Sequence, residues 1–271
     1  MRLSLAQPTV AKAYIVPSWV RYILIGIGFI IAWQLYVSYG GVNPLLVASP
    51  IATIQALITD TSNGQLPMAT FNSLQNLAIG MAISIALGLA LASLSTFFRF
   101  GRDILTVLTA VFSALPGIAI LPLVMLWFGL TPTSIIVVVV QSALWPIATN
   151  TDTGFRTIGT TTRMVALNLG LSRFRIVRDV LLPAALPHIL SGLRLAWAFG
   201  WRTVVAAELV FGIAGSAAGL GWYINNARYF LNTPPMFAAL VVISLMGILV
   251  DGFFFWIERK TVIKWGMKLA H

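Results

Sequence analysis

Residues 73–97 read SLQNLAIGMAISIALGLALASLSTF, with no Asp, Glu, Lys or Arg anywhere in the run. A hydrocarbon core about 30 Å thick takes roughly 20 mostly apolar residues of helix to cross. This run therefore predicts a transmembrane helix. The rest of the chain has the same character: of 271 residues, 59% are hydrophobic and 9% charged, where soluble domains carry about a quarter charged residues. That composition excludes a water-soluble globule and predicts an all-α polytopic membrane protein.

Windows of the same length on either side bring the total to six transmembrane helices, at 20–38, 73–97, 104–128, 132–150, 189–212 and 235–257. The first apolar run, Tyr22 to Tyr39, is longer than the core of a signal peptide, and no cleavage site follows it. It reads as a retained helix. The third span is interrupted by Pro116 and Pro122 and the fourth by Pro146. Proline frees backbone carbonyls, which membranes tolerate only inside protein or along a wet cavity. Pro116, Gly117 and Gln141 are thus candidates for the lining of a translocation pathway, with a harmless kink as the alternative.

The second span carries two ladders of small residues at four-residue spacing. Gly80, Ser84, Gly88 and Ala92 form one, and Ala78, Ala82, Ala86 and Ala90 the other. Such ladders let helix backbones approach closely in lipid, either within the chain or between two copies. Outside the spans, Ser49 and Pro50 read as the start of a surface helix with Ile51, Ile54, Leu57 and Ile58 on one apolar face.

The net charge of +10 is explained by topology. One set of flanks holds Arg2, Lys12, Arg21, Arg99, Arg102, Arg156, Arg163, Arg173, Arg175, Arg178, Arg259, Lys260, Lys264 and Lys268. The opposite loops hold only Arg228. Lys and Arg gather on cytoplasmic loops, so both termini and the 151–188 loop are assigned to the cytoplasm. The segments 1–19 and 261–271 become cytoplasmic tails around a transmembrane domain at 20–260. A nucleic-acid partner is not needed to explain the charge. Cys is absent and His occurs twice, which excludes thiolate chemistry and leaves no basis for a metal site.

The 151–188 loop is long enough to have its own structure and partner. Ser172 is placed to cap a short helix running to about Leu181 and ended by Pro183. Phe174, Val177 and Leu181 form an apolar stripe beside Arg173, Arg175 and Arg178. Such a helix suits either a lipid surface or a partner's groove.

The segment MVALNLGLSRFRIVRDVLLPAALP (164–187) resembles the signature loop of permease subunits of ATP-binding-cassette (ABC) importers. Gly170, Val180, Leu182 and Pro183 fall in register with that signature, and Ala166 matches its second Ala. Met164 and Val165 stand where the signature has Glu and Ala. ILPLVMLWFGL (120–130), LPAALPHILSGLRLAW (182–197), VVAAELV (204–210) and GLGWYINNARYFLNT (219–233) are similar to the nitrate, sulfonate, taurine and bicarbonate branch.

The resemblance implies the type I importer permease fold in a bacterial cytoplasmic (inner) membrane. It implies a second permease copy, a pair of ABC ATPase subunits and an extracytoplasmic substrate-binding protein as partners, with lipid around them. The loop becomes a coupling helix, with Phe174 and its neighbours seated in the ATPase. No Gly-Lys pair occurs in the chain, so the phosphate-cradling loop that needs one is not here. ATP and Mg²⁺ belong to the partner, and this chain binds no cofactor and catalyses nothing. A self-sufficient carrier and an importer of another small organic solute are the alternatives. A membrane enzyme would need convergent acid, base or nucleophile groups, and His188 stands alone beside Pro187.

Ionisable residues inside spans are costly and mark function by default. At ~1.5 Å of rise per residue, Arg194 lies ~8 Å, Arg202 ~20 Å and Glu208 ~28 Å from the inner end, while Asp251 lies ~9 Å from it. Arg194 and Asp251 are expected to pair or share a network. Glu208 falls near the outer interface and is, with Arg202, a candidate for the translocation pathway. Arg202 has no acid at its own level, so it is either a strut to carbonyls or Glu208, or a receptor for an anionic substrate.

Overall fold

A computed structural model describes residues 17–43, 45–212 and 218–263. Of the tails expected at 1–19 and 261–271, residues 1–16 and 264–271 lie outside these ranges. Helices without surface charge hold together in lipid through close backbone contact, and the centre of this fold is built in that way. α3 (Gln65–Phe97) lies along α6 (Pro132–Thr157). A Cβ added at Gly80 would strike Val139, and one at Gly88 would strike Ile147. The ladder Gly80, Ser84, Gly88, Ala92 is buried in that contact, while Ala78, Ala82, Ala86 and Ala90 face outward.

On its other side α6 packs against α10 (Leu186–Phe211). Gly192 sits over the Pro146 carbonyl and Asn150, and Gly154 makes room for Ala185 and His188. At Pro146, where a bend is expected, α6 runs through without interruption. Gly192 gives the adjoining turn space on α10, and Asn150 Nδ2 donates to the Pro146 carbonyl at 2.8 Å.

The expected third span is two pieces. α4 (Arg99–Phe112) ends before Pro116, and a 3₁₀ turn (Gly117–Ile120) leads into α5 (Leu121–Phe128), bent from α4 by 83°. Pro122 does not break anything: it occupies the first turn of α5, where its missing N–H has no helical partner to lose.

α1 (Ser18–Tyr39) is attached through Trp33, whose Nε1 donates to the Ala48 carbonyl at 3.1 Å and whose ring stacks on Phe237. α2 (Pro50–Ser62) starts at Ser49, whose side chain accepts from the Ala52 amide at 3.2 Å. Of its expected apolar face, Leu57 packs on the core while Ile51, Ile54 and Ile58 are exposed.

α7 (Thr160–Asn168), α8 (Arg173–Arg175), a π turn (Ile176–Leu181) and α9 (Leu182–Ala184) fill the loop between α6 and α10. α11 (Leu220–Tyr229) and α12 (Thr233–Glu258) complete the fold.

The described residues hold four helices long and apolar enough to cross a membrane, and counting each of two bent pairs as one crossing gives six. α3 begins eight residues before the span expected at 73–97, and α6 runs on past 150 to Thr157. Hydropathy reports which turns lipid would accept, not where helical hydrogen bonding stops. α11 was missed for the same reason: its polar residues fail a span test although its backbone is helical.

Candidate functional site

The break after α4 leaves the Leu115 carbonyl without a helical partner and the Phe112 carbonyl with only a turn bond from the Leu115 amide at 3.3 Å. Gln141 of α6 donates to both, its Nε2 lying 2.8 Å from the Phe112 oxygen and 3.3 Å from that of Leu115. Trp145 Nε1 donates to Gln141 Oε1 at 2.6 Å, and the Trp145 ring stacks on Phe112 with centroids 5.4 Å apart. Gln141 is therefore a clasp for the broken helix, and its amide is fully engaged. Gly117 is pressed against Ser142 and Thr203, whose hydroxyls lie 2.9 Å apart and tie α6 to α10.

A cavity of about 520 Å³ opens beside this break. Pro116, Gly117, Gln141 and Arg202 all line it, together with Phe112, Leu115 and Phe199. Arg202 is exposed and, among the described residues, is the one charged side chain in the lining. Its guanidinium has no hydrogen bond or ion pair to any described residue.

Glu208 does not join them. It is fully buried, and the Ser73 hydroxyl lies 2.9 and 2.8 Å from its two carboxylate oxygens. The Gly221 amide donates to Oε2 at 3.0 Å, and Ser73 Oγ accepts from the Leu220 amide at 2.8 Å. A carboxylate at the first turn of α11 meets the positive end of the helix dipole. Gly219 and Gly221 leave no room beside it for a Cβ. Glu208 thus fastens α10, α3 and α11 together and does not line the cavity that holds Arg202. Arg202 and Glu208 form no pair.

Arg194 and Asp251 meet as a two-pronged ion pair, Nε to Oδ1 at 2.6 Å and the second guanidinium nitrogen to Oδ2 at 2.7 Å. Both side chains are about half exposed, so the pair ties α10 to α12 at the bundle surface.

At the loop, α7 ends in Gly170 at φ +72°, with the Leu171 amide donating back to the Ala166 carbonyl at 3.2 Å. That left-handed turn is the usual helix stop at glycine. The Ser172 side chain accepts from the Arg175 amide at 3.4 Å. The helix then differs from expectation. It continues through the π turn and Pro183 to Ala184 before bending by 78° into α10. The wider π turn relieves the contact that a proline ring makes with the preceding turn.

The expected apolar stripe divides. Phe174 is 73% exposed, whereas Leu181, along with Ile176, is buried against Ala92, Phe155, Ala166 and Ala185. Val177 and Leu182 pack partly onto that cluster. Arg173, Arg175 and Arg178 are exposed around Phe174. The Arg173 guanidinium stands over the rings of Phe98 and Phe97, at 5.0 and 5.9 Å from their centroids, and so reaches the α3–α4 joint.

Two polar linkages escaped sequence reasoning. Asp152 bonds Arg156 at 2.7 Å and accepts from the Ser95 hydroxyl at 2.6 Å. Its four-residue spacing from Arg156 was a readable signal. Tyr223 of α11 donates to Asp60 of α2, and burial, that bond and the Asp60 charge push the phenol above the ordinary tyrosine range. Nothing in the sequence marks the second linkage, since its partners are far apart in the chain.

A family model described as binding-protein-dependent transport system inner membrane component matches residues 84–263. The putative aliphatic sulfonates transport permease protein SsuC of Bacillus subtilis (strain 168) is 30% identical over 247 residues, covering 91% of this chain and 88% of that protein. The protein of the same name from Escherichia coli (strain K12) is 33% identical over 225 residues, covering 83% and 84%. Among solved structures, a chain of the inward-facing MetNI methionine ABC transporter aligns with TM-score 0.58 at 20% identity, over 74% of this chain and 98% of that one. That last likeness is one of fold.

Proposed function

The chain belongs to the inner-membrane components of binding-protein-dependent transport systems, and from that premise we propose how it works within an importer. It is a multi-pass, non-catalytic permease subunit. Two copies enclose a path for a small anion of the sulfonate, nitrate or bicarbonate kind, the sulfonate being favoured by the names of its relatives. An extracytoplasmic binding protein delivers the anion, and a pair of ATPase subunits carrying ATP and Mg²⁺ drives the cycle. The loop helices and both termini face the cytoplasm.

The observation that supports this reading best is the division of labour along residues 173–184. Phe174 projects outward among three exposed arginines, on a rod anchored by buried Ile176 and Leu181. An apolar knob with a basic rim suits a socket with an acidic one. Closure of the ATPase pair pushes on this rod, and the Arg173 contact with Phe98 carries the push to α4. α4 leads to the break at Pro116 and the cavity, so docking and pathway are joined by one helix.

The test is purification of tagged protein from its native membrane in mild detergent, with mass spectrometry of what accompanies it. Stoichiometric recovery of an ATPase with a phosphate-binding loop is expected, and its loss from Phe174→Asp. Recovery of the chain alone, under conditions that preserve known complexes, would shift the reading to a self-sufficient carrier.

A further inference from the structure

We propose that the cavity beside Pro116 is a binding site for a small organic anion. Arg202 holds the charged head group, and Phe112, Leu115 and Phe199 receive the apolar body. The inference rests on the permease reading and adds to it a site and a ligand class.

The electrostatics decide the sign of the ligand. Among the described residues Arg202 is the only charged group in the lining, and none of their carboxylates shares the cavity. A guanidinium within a membrane span is tolerated where it faces water or a partner, and this one has no protein partner among the described residues. Its planar fork matches an oxyanion through two parallel N–H bonds.

The broken helix would ordinarily weaken such a site by aiming free carbonyls into it. Gln141 covers the carbonyls of Phe112 and Leu115 with its own N–H groups, so the clasp also removes the nearest negative dipoles from an anion's path. The Ser142 hydroxyl bonds the Val138 carbonyl at 3.0 Å and lies 2.9 Å from that of Thr203. Both hydroxyls are thus already committed. Arg202 supplies the charge for recognition, and the Thr109 hydroxyl, which lines the cavity and is buried with no hydrogen-bond partner among the described residues, is a second donor.

Size and wall chemistry decide between organic and inorganic anions. Nitrate or bicarbonate takes a volume on the order of one or two waters, roughly 30 Å³ each, against about 520 Å³ here. Ligand pockets run from about 300 to 1,000 Å³ with apolar walls and few polar groups, and this cavity has that make-up. An inorganic anion would leave the aromatic and aliphatic wall wet, whereas an alkyl or aryl group buries it.

The test is isothermal titration of the copurified permease–ATPase complex, in nanodiscs of zwitterionic lipid, with 1-butanesulfonate. The uncharged butyl methyl sulfone, sodium nitrate and sodium bicarbonate serve as comparisons, and empty nanodiscs as the blank. Butanesulfonate should bind, and none of the three comparison solutes should displace it at equal concentration. Arg202→Gln should weaken binding about tenfold to a hundredfold, the range for losing a charged hydrogen-bonding partner. Arg202→Lys should retain part of it. Phe199→Ala should weaken butanesulfonate more than methanesulfonate, and this arm does not depend on any Arg202 variant folding. No binding to the wild-type complex, equal binding by Arg202→Gln, or displacement by nitrate would each overturn the proposal. Failure of the wild-type chain to bring down an ATPase would instead count against the permease reading. The same titration on the chain alone would then still decide the anion site.

Discussion

At Glu208 a carboxylate is buried in a membrane protein with no cation against it among the described residues, and neutral groups, the Asn76 side chain among them, make that possible. Ser73 and the Gly221 amide donate to it, and the start of α11 supplies the positive end of a helix. Glu208→Ala should cost about 1–3 kcal/mol, the range for orphaning buried partners, read as a lower melting temperature in detergent. Gly221→Ala should cost a similar ~1–3 kcal/mol by overpacking, because its Cβ would press on Glu208 and the Val205 carbonyl. The Arg194–Asp251 pair is half exposed, so its coupling should be smaller, ~0.2–1 kcal/mol in a double-mutant cycle. The two acids also differ in how far sequence could reach them. Helix rise is constant, so counting along two antiparallel spans put Arg194 and Asp251 at one level. The partners of Glu208 include a serine 135 positions away and the backbone amide of Gly221, which residue types do not reveal. An acid near a span end therefore reads from sequence as a pathway group, while the structure places it in a buried junction of α3, α10 and α11.

The helical rod at 173–184 separates what touches a partner from what holds the fold, and two substitutions should split these roles. Phe174→Asp changes an exposed side chain and should leave the melting temperature within the change expected of a surface substitution, about 0.5 kcal/mol, while abolishing ATPase recovery. Ile176→Asp places an unpaired charge in the cluster of Ala92, Phe155 and Leu181. It should unfold the loop or destabilise the chain by at least ~3 kcal/mol. Equal effects of the two would mean that the rod has no outward face. The apolar residues of this helix were visible in the sequence, but a single 3.6-residue period misassigned them: Leu181 lies in the core and Phe174 outside. A π turn between them shifts the register. The bend at Pro116 was legible because proline and glycine together stop a helix, whereas the clasp from Gln141 was not, since it depends on how α4 and α6 pack.

For the whole molecule, the loop rod and α11 pack on opposite ends of α3, the rod at Ala92 and Phe97 and α11 at Ser73. One end carries the exposed Arg173, Arg175 and Arg178 of the loop rod, and the other carries α2 and α11. The excess of Lys and Arg at the first end argues that it faces the cytoplasm. ATP is available only there, so the docking reading stands or falls with this orientation. The chain contains no cysteine, which permits a direct test without first removing native thiols. Ser172→Cys and Tyr229→Cys each place one thiol at an exposed position, the first before the rod and the second at the end of α11. A membrane-impermeant maleimide should label Tyr229→Cys in right-side-out vesicles and leave Ser172→Cys unlabelled until the vesicles are inverted. The opposite pattern would put Phe174 out of reach of any cytoplasmic ATPase, and the coupling argument would fail even if the fold and the family stood.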